Sequence, residues 1–444
     1  MFHPRIGKEH LPPHWQFDMK INLKEGSSLT VGKLYELSPD QMKAQRLQLE
    51  RELKAGRIIR SNSSYGAPTF MVAKSTPGEW RMVVDYRSIN AATIGDAYPL
   101  PLISQITNNL SKSSFYTSLD LVGAYQLLRM SEGHESHTAF QTHFGMFESK
   151  VLRDGLKNAP AAFQHFIHAT LSDLLGKGVV VYIDDILIHA PTVEELRRLT
   201  REVLTRLESA DLFCNAKKCR FEQDKVKFLG FMISSKGIRA NKDYVSGISN
   251  FPAPRSLRQT QRFVGMAGYY RRFIPGFSNL ACPLTSLTRK DVVFQWGPPQ
   301  QQAFELLKKK LLEAPVLAHY DPTFETIIQT DASDYGWGFI ISQIDSKNQE
   351  HPITIKSGSF KGAESNYTTT EKEFLAIVMA FRRKRHLLLQ VTLTILTDHN
   401  NLAYWMSPRQ LNSRQARWVD LLAEFSFRIV YRPGSKAVFP DALS

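Results

Sequence analysis

Val179-Val180-Val181-Tyr182-Ile183-Asp184-Asp185-Ile186-Leu187-Ile188 sets two adjacent carboxylates between two apolar runs. The flanks read as a buried β-hairpin from Val179 to His189 with the aspartates at its turn. Two like charges side by side in such surroundings cost on the order of several kcal/mol unless a cation neutralises them. A surface turn would account for two acids, but not for apolar flanks on both sides. The pair therefore calls for a hard divalent cation, and Mg²⁺ takes one or two carboxylates together with phosphate oxygens. A third carboxylate is expected from elsewhere. Asp120 is the best candidate, because it closes the strand read at 113–121 and is followed by Leu121-Val122-Gly123-Ala124-Tyr125. Three carboxylates around two Mg²⁺ roughly 3.5–4 Å apart would serve in-line phosphoryl transfer.

A second set of acids falls near the C-terminus. Thr330-Asp331-Ala332-Ser333 ends a strand, Glu373 begins the helix running through Phe381, Thr397-Asp398-His399 ends another strand, and Pro440-Asp441-Ala442 lies close to the last residue. Strands at 324–331, 336–343 and 391–398 with a helix from about 370 to 388 make an α/β module. Carboxylates at the ends of its elements again suggest a two-metal site. Glu371 competes with Glu373, because the helix is apolar on nearly all sides from Phe374 to Phe381 and periodicity cannot choose between them.

The remaining text supplies the frame. The chain has 444 residues, enough for two to four domains or subdomains. Its 56 Lys+Arg against 42 Asp+Glu give +14 and a pI near 9.5, which points to a polyanionic partner. Residues 236–320 hold 13 Lys/Arg against 4 Asp/Glu. Arg258, Arg262, Tyr269, Tyr270, Arg271 and Arg272 cluster there. Basic side chains among aromatics fit a surface tracking a nucleic-acid backbone, although a solvated helix face is the plainer alternative. Cys214, Cys219 and Cys282 form no C-x-x-C pair and read as buried, inert thiols suited to a reducing interior. No signal peptide shows in Met1-Phe2-His3-Pro4-Arg5, and the apolar stretch from Gly178 to Ala190 is too short to span a bilayer.

Local signals mark further elements. Ser38, Pro39 and Gln41 open a helix that should run to about Lys54 and stop at Gly56. Strand-like segments from Ala67 to Val84 flank a turn at Thr76-Pro77-Gly78, and 160–175 reads as a helix. Thr192 and Glu195 look like a capping box for a helix from Thr192 to Leu212 with Leu196, Leu199, Val203 and Leu207 on its inner face. Residues 1–37 look extended and polar, and Pro252-Ala253-Pro254 suggests a boundary.

These residues are similar to a known family. Tyr182-Ile183-Asp184-Asp185 with the upstream Asp120 resembles the signature of reverse transcriptases. The resemblance extends through Leu11-Pro12-Pro13-His14, Trp80-Arg81-Met82-Val83-Val84-Asp85-Tyr86-Arg87, Tyr98-Pro99-Leu100-Pro101-Leu102-Ile103, Asn158-Ala159-Pro160, Phe228-Leu229-Gly230 and Tyr269-Tyr270-Arg271-Arg272-Phe273-Ile274. Together they look like the polymerase of gypsy-type LTR retrotransposons, over nearly the whole chain. The resemblance implies an α+β multidomain protein, a right-hand polymerase of fingers, palm and thumb followed by an α/β ribonuclease H-like domain. Its expected limits are 1–235 for fingers and palm, 236–320 for the basic thumb and connecting segment, and 321–444 for ribonuclease H.

The resemblance implies roles as well. Asp120, Asp184 and Asp185 would hold two Mg²⁺ for DNA synthesis, and Asp331, Glu373, Asp398 and Asp441 two more for cleaving the RNA of an RNA–DNA hybrid, with Mn²⁺ as an alternative metal. The family match favours Glu373 over Glu371. Lys74 and Arg81 would neutralise the triphosphate of the incoming nucleotide. Tyr125 matches the family's steric gate against a 2′-hydroxyl, and Phe228-Leu229-Gly230 its primer grip. RNA template, DNA primer, RNA–DNA hybrid and dNTPs would be the partners, with a second copy or other products of the same polyprotein beside them and no membrane. The expected location is the cytoplasm, in a virus-like particle, with the nucleus as a second site. No protease motif or zinc-plus-acidic integrase region is seen, so the chain looks like a segment of a longer polyprotein.

The pattern breaks in two places. Before Gly155 the family has Pro-Phe, or Pro-Gln in retroviral relatives, where this chain has Arg153-Asp154; Ser149 and Lys150 stand where aromatics are common. An aspartate beside a triphosphate should weaken binding unless Arg153 pairs with it. Near Asp441, Ala437 and Pro440 replace the usual Asn and Ala. A catalytically impaired or domesticated descendant that only binds nucleic acid is the alternative function. A plant pararetroviral polymerase is a third reading, which the thumb sequence disfavours.

Overall fold

The computed structural model describes residues 11–432 apart from 75, 77, 104–105, 107–109, 111–112, 390 and 399–411. Asp441, His399 and Pro77 lie outside the described residues. The chain divides into two compact units, Met1–Val226 and Lys227–Ser444.

In the first unit the quoted hairpin is the edge of a four-stranded antiparallel sheet. Val179–Tyr182 pairs with Asp185–Ala190, which pairs with Phe115–Asp120, which pairs with Arg220–Gln223. Both apolar runs are buried, so the strands need a cover on their faces. Helices Ala159–Thr170 and Val193–Ser209 share that core through Phe163, Phe166, Ile167, Leu196, Leu199, Val203 and Leu207. The first helix ends five residues before the expected 175. The chain then turns through Gly176 and Gly178 at φ 75° and 93°, and a Cβ on Gly178 would fall 2.8 Å from the His189 carbonyl oxygen. The second ends at Ser209, ahead of Asp211 in the left-handed region. Of the capping box read at its start, one half forms: the Thr192 hydroxyl accepts from the Glu195 N–H at 3.3 Å.

A second sheet of the first unit runs in the order Ile58–Arg60, Gly145–Ser149, Phe140–Thr142, Ala67–Ala73, Trp80–Val84. Helix Pro39–Lys54 has both halves of the Ser38–Gln41 capping box, with the Ser38 N–H donating to Gln41 Oε1 at 2.9 Å. Gly56 at φ 67° follows its end. Gln45, fully buried, ties this helix to the sheet by donating to the Thr69 hydroxyl at 3.1 Å.

The second unit carries the antiparallel pair Phe231–Ser234 and Gly237–Ala240, then helices Lys242–Ser249, Leu257–Tyr269 and Pro298–Leu312. Its largest sheet has the order Glu350–Ser359, Gly336–Ile344, Glu325–Ala332, Thr392–Thr397, Ser426–Tyr431. The first three strands are antiparallel meanders and the last two join in parallel. Helix Thr369–Leu388 lies in its core, with Phe374 to Val378, Ala380 and Phe381 all buried beside Ile328, Phe339, Ile341 and Ile395. That accounts for its unbroken apolar text: it is enclosed, not amphipathic. The strands at 350–359 and 426–431 and the helix at 413–422 were not read from sequence.

No helix among the described residues is long and apolar enough to cross a membrane. Cys214 and Cys219 are buried free thiols and Cys282 is half-buried.

Candidate active sites

Pairing register brings the first acids together. Asp120, the last residue of its strand, is the direct antiparallel partner of Asp185, and Tyr182 pairs with Asp185 across the hairpin. Ile183 and Asp184 are thus the two loop residues, and Asp185 begins the next strand. Ile183 has φ 56°, a strained setting for a β-branched residue. Its N–H donates to Gln164 Oε1 at 2.6 Å, and this fully buried glutamine holds the turn in place.

The field at this site is what three converging acids produce. Burial first, then the charges of Asp184 and Asp120, push the Asp185 carboxyl up to about 6. Asp184 is raised chiefly by burial, with Asp120 adding to it. Lys218 Nζ donates to Asp120 Oδ2 at 3.1 Å and supplies part of the missing positive charge. Lys218 escaped the sequence reading, since one lysine in a basic chain carries no signal. Gln164 left a faint one, a polar residue on the apolar face of a helix.

Tyr125 lies next to these acids. Its ring meets Phe163 edge-on at 5.8 Å, and its hydroxyl is pushed up to about 12 by burial and then by the charges of Asp184 and Asp154. Lys74 and Arg81 occupy one antiparallel hairpin, in which Arg81 pairs with Val72. Lys74 bonds Glu79 at 3.0 Å, and Arg81 is ion-paired with Asp154.

Arg153 does not pair with Asp154, the one arrangement that would have spared the triphosphate an adjacent negative charge. Arg153 is buried, ion-pairs with Glu52, donates from Nε to Ser149 Oγ at 3.2 Å and lies 4.9 Å over the Phe140 ring. It serves as a structural cation inside the first unit, and Ser149 is its acceptor. Asp154 turns outward to Arg81 instead. The departures at 149, 153 and 154 thereby have a common physical account.

Phe228, Leu229 and Gly230 belong to the second unit. Leu229 and Gly230 have φ 45° and 72°, and their carbonyls accept from the Tyr269 and Tyr270 hydroxyls at 2.7 and 3.1 Å. A Cβ on Gly230 would lie 3.2 Å from the Tyr270 hydroxyl oxygen. The Tyr-Tyr pair thus fixes a backbone turn while Tyr269 stacks on Phe231 at 5.3 Å.

The second acidic set forms on the parallel part of the large sheet. Ile327 to Gln329 pair with Thr394 to Leu396, and continuing that register sets Asp331 beside Asp398 at the same carboxyl edge. They line a cleft with Gln329, Thr330, Leu396, Thr397 and Arg432. Glu373 enters from the helix, and its Oε1 accepts from the Ala332 N–H at 3.1 Å. Among the described residues Glu373 Oε2 and Asp331 Oδ2 are buried with no hydrogen-bond partner. Burial, then Asp331, then Asp398 push Glu373 up to about 8; burial and then Asp398 push Asp331 up to about 6. Glu371 points elsewhere. It caps its own helix at Thr368 and is ion-paired with Arg414.

Among the described residues no trio of His, Cys, Asp or Glu closes tightly enough to hold a metal ion as it stands. The donors suit a hard divalent cation: they are all oxygen, and two are buried without partners among the described residues.

Two known families match successive parts of the chain. Residues 72–233 match the family described as reverse transcriptase (RNA-dependent DNA polymerase), and residues 321–425 the RNase H-like domain found in reverse transcriptase. The Transposon Tf2-3 and Tf2-7 polyproteins of Schizosaccharomyces pombe are each 38% identical over 441 residues, 98% of this chain and 33% of theirs. The chain spans about a third of the length of these curated relatives. In fold it is similar to foamy viral protease-reverse transcriptase. One such structure, a complex with double-stranded DNA, has a TM-score of 0.78 at 23% identity over 96% of this chain and 76% of that one. Another, in complex with an RNA/DNA hybrid, has 0.73 at 23% over 97% and 59%.

Proposed function

Since the chain belongs to the reverse transcriptase–ribonuclease H family of LTR-retrotransposon polyproteins, we propose that it copies RNA, and then DNA, into DNA and cleaves the RNA strand of the resulting hybrid. The observation that carries this reading is the register pairing of Asp120 with Asp185, repeated in kind by Asp331 beside Asp398.

Asp120, Asp184 and Asp185 would hold the metal of the polymerase site, and Asp331, Glu373 and Asp398, with Asp441, that of the nuclease site. Two Mg²⁺ per site, with Mn²⁺ as a substitute, would supply an activated primer 3′-hydroxyl or water and neutralise the developing phosphoryl charge. Lys74 and Arg81 receive the triphosphate, and for Arg81 this means exchanging the Asp154 carboxylate for phosphate oxygens. Tyr125, braced by Phe163, closes the space under the sugar against a 2′-hydroxyl. Leu229 and Gly230, fixed by Tyr269 and Tyr270, present backbone to the primer strand. Template RNA, primer DNA, their hybrid and dNTPs are the partners this reading requires.

Primer extension on poly(rA)–oligo(dT) with Mg²⁺, run beside cleavage of an end-labelled RNA–DNA hybrid, tests it. Both products are expected. Folded protein that binds the template yet makes neither product would leave the second reading, a nucleic-acid binder without catalysis. That reading is favoured by Asp154, which sets a negative charge against the arginine needed for the triphosphate.

A further inference from the structure

Two parallel pairings fix one row across the large sheet. Ile327 pairs with Thr394, and Thr394 with Arg428. Four residues further along each strand, the same register sets Asp331, Asp398 and Arg432 side by side at the carboxyl edge. The ladder reaches that far: the Arg432 N–H donates to the Thr397 carbonyl at 2.9 Å, one step beyond the pair Thr397 and Tyr431. Steps of two along a strand keep to one face. Phe427 and Ile429 pack on the core that encloses helix Thr369–Leu388, so Arg428 and Arg432 belong to the opposite face. Arg428 donates across that face to Thr394 Oγ1 at 3.0 Å and to Glu325 Oε1 at 3.3 Å. Arg432, at the edge, reaches the cleft of Asp331 and Asp398, and among the described residues lining that cleft it alone is basic.

Charge gives Arg432 a task. The nuclease acids and an RNA backbone have the same sign. Two divalent cations offset four carboxylates, those of Asp331, Glu373, Asp398 and Asp441, and leave the single charge of a phosphodiester unmet. One guanidinium completes the balance. Its planar fork suits two oxygens of one phosphate, and with five N–H donors it can keep a protein acceptor at the same time. The ionised acids cannot take that place, because they only accept hydrogen bonds.

We propose that Arg432 binds the RNA-strand phosphodiester presented to Asp331 and Asp398, donating to its non-bridging oxygens, and so positions the bond to be cut. The inference rests on the nuclease reading of those acids. It gives a part in substrate binding to the last strand of the sheet, beyond the matched residues 321–425.

The full chain carrying Arg432→Gln or Arg432→Lys tests this with two readouts. Cleavage of an end-labelled RNA–DNA hybrid in Mg²⁺ gives kcat/KM. Binding of the same hybrid is followed by fluorescence anisotropy across salt, with Ca²⁺, another oxygen-binding cation, in place of Mg²⁺. Arg432→Gln should lower kcat/KM roughly tenfold, the loss of one charge-assisted hydrogen bond. Its slope of log K against log salt should be shallower by about 0.9, for one phosphate no longer neutralised. Arg432→Lys should restore the slope and recover part of the rate, since it keeps the charge and loses the fork. Unchanged kcat/KM and slope in Arg432→Gln would overturn the proposal. Lost cleavage with an unchanged slope and no rescue by lysine would overturn it too, by making Arg432 a brace for Asp398. Should the wild type bind hybrid without cutting it, the nuclease reading fails, and the salt slopes still decide whether Arg432 holds a phosphate. Thermal midpoints and primer extension by the same preparations report folding. If glutamine unfolds the chain, Arg432→Met, which keeps the aliphatic stem, carries the same comparison.

Discussion

Glu373→Gln should stabilise the metal-free protein while abolishing hybrid cleavage, and the size of the gain follows from burial. Glu373 is 5% exposed, its Oε2 has no partner among the described residues, and its carboxyl is raised from 4.5 to about 8. A carboxyl whose pKa is higher in the folded state favours folding while it is protonated. That contribution is complete below the unfolded value near 4.5 and is lost as pH rises through about 8. At about 1.4 kcal/mol per pH unit, the ionised side chain costs the metal-free protein on the order of 5 kcal/mol above pH 8. Glutamine keeps the acceptor for the Ala332 N–H and carries no charge at any pH. The variant should therefore match the wild type near pH 4.5 and exceed it at pH 8.5. For a unit of this size the gain is roughly 10–20 °C in midpoint. Differential scanning calorimetry in EDTA between pH 4.5 and 9 measures it. Saturating Mg²⁺ should then raise the wild-type midpoint at pH 8.5 and the variant's much less, since binding only the folded state stabilises it. Equal metal-free midpoints at pH 8.5 would show that Glu373 is solvated or paired and that the buried acidic site is wrongly described.

The other expectations concern function. Asp185→Asn should reduce primer extension to background and leave hybrid cleavage intact, and Asp398→Asn should do the reverse; parallel loss of both activities in either variant would argue against two separate sites. Tyr125→Ala should admit ribonucleotides, read as incorporation of rNTP against dNTP, and unchanged sugar selectivity would remove its gating role. Asp154→Asn frees Arg81 from an ion pair in which both side chains are more than half exposed, worth about 0.2–1 kcal/mol, so the KM for dNTP should fall roughly 1.4–5-fold with little change in kcat. A KM that rises instead would mean that Asp154 orients Arg81 rather than competing for it.

Much of the site was legible because its signals are local. An acidic pair between apolar runs, a strand ending in aspartate and a glutamate opening a helix can each be read from a few neighbouring residues. The capping box at Ser38 and Gln41 is local too, and it formed as written. Helix ends at 170 and 209 fell short of the text, because left-handed turns at Gly176, Gly178 and Asp211 and the need to return to the sheet outweighed local helix preference. The strand at 350–359 opens Glu350-His351-Pro352 and contains Lys356 and Gly358, poor strand text that cross-strand pairing over its length overrides.

Composition and order alone determined that the chain carries two acidic constellations and a strong positive balance, since residue types and their spacing set which chemistry is available; the order of a polymerase followed by a nuclease came from the family resemblance of the motifs. Only the tertiary structure decided the partners. It turned Glu373 to Asp331 and Glu371 to Arg414. It also parted Arg153 from Asp154, sending the first to Glu52 and the second to Arg81. Charges pair across space according to which elements pack together, and adjacent residues on a chain that changes direction face different surroundings, so no local reading of the text contains that choice.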